Sequence, residues 1–193
     1  MAITNRNRLL EKYVQVVRED GLNTNKNVNI GVAGATSSAT LSVGSGGINT
    51  TGPIAGLDPI VTVTGNVTLT AAQSNSTVVL NVASGATVTL PSDAAGLTYN
   101  FAVGTTVTSN SYKVIIGSTS SYFTGGINVP VAAGTAKVFY GDGSSLLSIN
   151  LNGSTTGGLQ GGYFTVTCLK AGLWVAQGSV EGSGTVATPF ANS

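Results

Sequence analysis

The residues able to do chemistry in this chain are few and stand apart. Beyond residue 57 the carboxylates are Asp58, Asp93, Asp142 and Glu181, each alone. Sugar cleavage needs two carboxyls flanking one bond, and the spacing shows no such pair. The chain has no histidine, which removes Ser-His-Asp and Cys-His arrangements and the commonest metal ligand together. The glycine runs Gly44–Gly47 and Gly141–Gly143 lack both the strand, turn and helix context and the Gly-Lys-Ser/Thr ending of a phosphate loop, and read as turns. Asp142 between glycines is too little for a calcium site and fits a hairpin turn. Cys168 falls on one strand face with Phe164 and Val166 and reads as a small buried hydrophobe. Trp174 follows the Gly172 turn, where its ring either closes the core or sits at a subunit contact. No catalytic residue, cofactor or metal site is expected, and the chain is read as a protein that is not an enzyme.

The composition points the same way. Only 8% of the 193 residues are charged, against roughly 25% in soluble domains, and Gly, Thr, Ser, Val and Asn take their place. A net charge of +1 offers no basic footprint for phosphates, so nucleic-acid binding has no electrostatic support. Near-neutral surfaces associate, so assembly is expected. The mean hydropathy is positive, unlike that of disordered chains, so the chain should fold. One cysteine cannot form an intrachain disulfide. Met1–Lys12 mixes charged and polar residues without an apolar signal region, and no run reaches the roughly 18–20 apolar residues of a membrane helix.

The elements fall into three stretches. In residues 1–26, Thr4 or Asn5 can cap a helix whose apolar stripe is Leu9, Leu10, Tyr13, Val14 and Val17, with Gly21 as its stop. That helix, Asn5 to Asp20, would be about 24 Å long and marginal in water unless its stripe is covered. The stripe packs either on its own β domain or on other subunits as an anchor. Residues 27–57, with Gly44, Gly46, Gly47, Gly52, Pro53 and Gly56, read as an extended linker or assembly segment. Over residues 58–193 the period becomes two. Strands are expected at Ile60–Thr64, Val67–Thr70, Thr77–Val82, Ala86–Leu90, Leu97–Val103, Tyr112–Ile116, Ala136–Tyr140, Leu146–Leu151, Tyr163–Leu169 and Leu173–Gln177. Leu97, Tyr99, Phe101 and Val103 mark one core-facing row, and Phe164, Val166 and Cys168 another. Many short strands without intervening helices predict an all-β fold, an antiparallel β-sandwich or jelly-roll behind a short amphipathic helix and an extended linker.

Two runs carry a resemblance. Val88–Phe101, of pattern V-T-L-P-x-x-x-x-G-L-x-Y-x-F, resembles a strand, turn and strand found in small virion proteins of tailed bacteriophages. Tyr163–Gly178, followed by Gly182–Gly184 and Ala187–Phe190, is similar to the C-terminal part of capsid decoration (cement) or head-fibre proteins, including those of cyanophages. The resemblance implies a homotrimeric knob on the outer capsid surface, assembled in the host cytoplasm, with the major capsid protein as partner and host-cell surfaces as a further one. It implies neither a cofactor, nor nucleic-acid binding, nor membrane insertion. Residues 27–53, with Asn-Val-Asn-Ile-Gly at Asn27–Gly31, look more like fibre segments and leave a tail fibre or spike open. Leu9, Leu10, Tyr13, Val14, Val17 and Trp174 are the expected capsid or subunit contacts.

Overall fold

The computed structural model describes residues 59–132 and 134–192. The helix expected in residues 1–26, its stripe of Leu9, Leu10, Tyr13, Val14 and Val17, and the linker of residues 27–57 lie outside the described residues.

The described chain is all-β. Its strands are β1 (Ile60–Val63), β2 (Val67–Thr68), β3 (Thr77–Leu80), β4 (Ala86–Thr89), β5 (Thr98–Val103), β6 (Tyr112–Ile115), β7 (Tyr122–Pro130), β8 (Ala136–Asp142), β9 (Ser148–Leu151), β10 (Tyr163–Lys170), β11 (Leu173–Ser179) and β12 (Phe190–Ala191). They build a seven-stranded sheet in the order β1-β3-β5-β10-β11-β7-β8 and a five-stranded sheet in the order β12-β9-β6-β4-β2. The ten expected strands appear within a few residues of their expected ends. The sequence reading missed β7, whose Gly125, Gly126 and Pro130 look like punctuation, and the two-residue β12.

The expectation of antiparallel sheets is corrected: both sheets are mixed. From β1 to β6 the chain alternates between the sheets, so each strand lies parallel on the one two elements before it. Ile60 pairs with Thr77 and Thr77 with Asn100 in the larger sheet, while Val67 pairs with Val88 and Val88 with Val114 in the smaller. The physical reason is the connections. Segments such as Thr64–Asn66 and Val82–Gly85 carry the chain across to the other sheet instead of folding it back in a hairpin, and a strand re-entering after a crossover enters parallel. The β10–β11 hairpin then pairs antiparallel with β5 and parallel with β7, and β8 runs antiparallel on β7.

Alternation fixes which residues face inward. One inward row crosses all seven strands of the larger sheet: Val61, Val78, Phe101, Phe164, Gly178, Ile127 and Phe139. The Phe101 and Phe164 rings stack at 4.8 Å between centroids and 9° between planes. A Cβ on Gly178 would lie 2.5 Å from the Phe164 Cα, so the row needs glycine there. Both sheets feed one apolar cluster, with Val88, Tyr112, Val114, Ile149 and Leu151 from the smaller sheet. The two large phenols in it find partners for their polar ends, as buried tyrosines require. Tyr99 donates to the Thr70 carbonyl at 2.8 Å, and Tyr112 donates to the Thr105 carbonyl while accepting from the Val82 N–H, both at 2.9 Å.

Truncating Phe164 to alanine removes the central ring of this row. It should destabilise the fold by about 3–5 kcal/mol, read as a lower urea midpoint; a midpoint unchanged from wild type would contradict the packing described.

Candidate functional site

Asp93 sits on the loop between β4 and β5, the strand, turn and strand run Val88–Phe101. Its Oδ2 accepts from Ser121 Oγ at 2.6 Å and from the Gly172 N–H at 2.7 Å, and its Oδ1 accepts from Trp174 Nε1 at 2.8 Å. One carboxylate thus ties together the segment entering β7, the β10–β11 turn and the start of β11. Partial burial pushes its pKa up, but the hydrogen bonds from Ser121, Gly172 and Trp174 outweigh this and hold it below the ordinary aspartate value. Trp174 itself is fully buried beside Tyr99, with ring centroids 6.4 Å apart. Of the two places open to it, it occupies the core, and its ring has no surface to offer a subunit contact.

Asp142, at the end of β8, accepts at Oδ1 from the Ser144 and Ser145 N–H groups, both at 2.9 Å, and at Oδ2 from Ser145 Oγ. The Ser145 hydroxyl and the two backbone donors hold its carboxyl well below the usual range. It shapes its own turn, but not the expected hairpin: β8 and the next strand, β9, lie in different sheets. Cys168 is buried, with its thiol 3.4 Å from the Lys170 carbonyl; burial, then the charge of Asp93, raises its pKa. Among the described residues no cluster of three or more His, Cys, Asp or Glu could hold a metal ion, and no helix is long and apolar enough to cross a membrane. An open groove beside β2 and β4, lined by Asn66, Val67, Thr68, Thr87 and Thr89, carries no ionisable group.

The feature that stands out is a face. The exposed large apolar side chains among the described residues are Ile60, Val138, Tyr140, Tyr163 and Leu169, and all belong to the seven-stranded sheet. Each adjoins an inward residue: Val61, Phe139, Phe164 or Cys168. They therefore share the outer face. One outer row reads Tyr140, Gly126, Gln177, Thr165, Asn100, Thr77, Ile60, and the next reads Val138, Asn128, Ser179, Tyr163, Ala102, Val79, Thr62. Neither contains a charge. Gly126 leaves room for its neighbours: a Cβ there would meet Tyr140 Cε1 at 3.1 Å and Val138 Cγ1 at 3.3 Å. Thr165 Oγ1 donates to Asn100 Oδ1 at 2.9 Å, and the Thr98 and Thr167 hydroxyls are hydrogen-bonded to each other at 3.1 Å. Sequence reasoning did not single out Tyr140 and Tyr163; the signal was their parity, one residue out of step with Phe139 and Phe164.

No family model matches the chain, and neither the curated proteins nor the solved structures contain a match to it.

Two outcomes test the geometry. Because the Asp93 carboxyl is depressed in the fold, its stabilisation is complete above the ordinary carboxylate pKa and is lost as pH falls through the lowered folded value. Asp93→Asn should cost about 1–3 kcal/mol at neutral pH, and the gap from wild type should shrink below about pH 4; denaturant midpoints against pH measure it, and a gap independent of pH would refute the assignment. A thiol reagent should label Cys168 only in denaturant, and rapid labelling of the native chain would show the thiol open to solvent.

Proposed function

We propose that the chain is a non-enzymatic structural protein of a virus particle, a capsid decoration (cement) or head-fibre protein carried as a homotrimer on the outer capsid surface. The observation that carries this reading is a charge-poor all-β body whose exposed large apolar side chains gather on one sheet face, a surface suited to lasting contacts between proteins. The resemblance of Val88–Phe101 and Tyr163–Gly178 to phage virion proteins supports it, since both runs lie in the body that would project from the shell.

In this reading the two sheets are the layers of a β-sandwich sharing one core; their five parallel pairings are unlike an all-antiparallel jelly-roll. Residues 1–26, with Leu9, Leu10, Tyr13, Val14 and Val17, attach the trimer to the major capsid protein. Three weak arms act together once one has engaged, through effective concentration. Neither nucleic acid nor membrane insertion has a part.

A second reading, a tail fibre or spike that binds a host-cell receptor, is favoured by the parallel stacking of β1, β3 and β5 and of β2, β4 and β6, because coils stacked in this way extend along an axis as β-helices do.

Added to bare shells, the full chain should raise their melting temperature, and a chain lacking residues 1–26 should not bind. A truncated chain that binds as well as the full one would refute the attachment. Purified chain that blocks adsorption of particles to cells, with no effect on shells, would instead establish the fibre reading.

A further inference from the structure

We propose that the outer face of the seven-stranded sheet is buried against a second copy of this chain. The proposal rests on the self-association contained in the reading above, with the copies of the trimer turning this face toward their common axis so that each meets the same face of its neighbours, but not on the shell to which the assembly would be fixed.

Charge decides the kind of partner. The two outer rows that run from Tyr140 to Ile60 and from Val138 to Thr62 are uncharged. The nearest acid, Asp142, stands at the corner of the face and is occupied by Ser144 and Ser145. Lys137 pairs in register with the inward Val129 and so belongs to the opposite side of β8, whereas Lys170, exposed and in register with the outward Leu173, is on this face but outside the two rows. A charged partner surface laid on these two rows would lose water and find no counter-charge within them. The same two rows on another copy bring no charge to desolvate. Its hydroxyls and amides are partly satisfied already, through Thr165 with Asn100 and Thr98 with Thr167, while Tyr140 and Tyr163, 73% and 63% exposed, supply the residue type enriched in interface cores.

The size also fits. Six gaps between strands at about 4.8 Å make the face about 29 Å wide, and β7, β8, β10 and β11, of seven to nine residues, run about 23–30 Å at ~3.3 Å per residue. That is about 700 Å² of plane before side-chain relief, close to the roughly 800 Å² that each partner contributes to a standard interface.

The test uses the full chain. Gln177, exposed near the middle of the first row, is replaced by cysteine, and the protein is treated with a short bis-maleimide; native Cys168 is buried and stays unreacted. Gln177→Cys should give a covalent dimer, whereas Thr87→Cys, on the other sheet, should not. The double substitution Tyr140→Lys with Tyr163→Lys should raise the dissociation constant of the assembly at least tenfold by sedimentation. An assembled chain that neither cross-links through Gln177→Cys nor responds to the lysines overturns the face and leaves self-association standing through another surface. A full chain that sediments as a monomer at micromolar concentration overturns both this interface and the trimer, leaving shell binding to be judged by shell melting. If the lysine variant fails to fold, the cross-link alone decides, because Gln177→Cys leaves the core untouched.

Discussion

Burial of one continuous apolar row holds the strands of the larger sheet in register. From Val61 through Phe101 and Phe164 to Phe139, each strand contributes one inward position at the same height, and a slip of one residue in any strand would turn its apolar set to water. Gly178 is the narrow point of the row, where the backbone of β11 approaches Phe164 too closely for a side chain. The outer face follows from the same alternation. Once Phe139 and Phe164 point in, Tyr140 and Tyr163 must point out.

A second, polar constraint closes the structure where the apolar row cannot reach. The loop at Asp93, the segment at Ser121 and the turn at Gly172 belong to distant parts of the chain, and a single carboxylate collects a donor from each of the latter two as well as from Trp174. A buried indole N–H without an acceptor would be costly, so Asp93 fixes the orientation of the largest ring in the core along with the turns around it. The stacked parallel strands, the ring row and this junction together hold the larger sheet whose two middle outer rows carry no charge.

Most of the strands were legible in the sequence because period two is written directly in Leu97, Tyr99, Phe101 and Val103 and in Phe164, Val166 and Cys168. Alternation tells which face a residue takes but not which strand lies beside it, so the parallel partners, such as Ala86 with Tyr112, could not be read. β7 was hidden by Gly125 and Gly126, which look like a turn. Gly125 takes φ +93° where a Cβ would lie 2.3 Å from the Ala176 carbonyl oxygen, and Gly126 makes room for Tyr140. Asp93 looked isolated because its donors come from positions far along the chain. Trp174 could be placed only once its burial was known.

The order of strands in the larger sheet has a consequence for how the chain is made. β5 and β7 are not neighbours; the β10–β11 hairpin, near the end of the sequence, lies between them. A chain emerging from the ribosome can stack β1 to β6 as it appears, but β7 and β8 have no bridge to that half until Tyr163–Ser179 is free. The closing step joins segments far apart in sequence and is therefore slow, and until it occurs β5 and β7 each show an open edge to their surroundings. Synthesis of many copies in one cell would then favour release of the C-terminal hairpin before neighbouring nascent chains can meet through those edges.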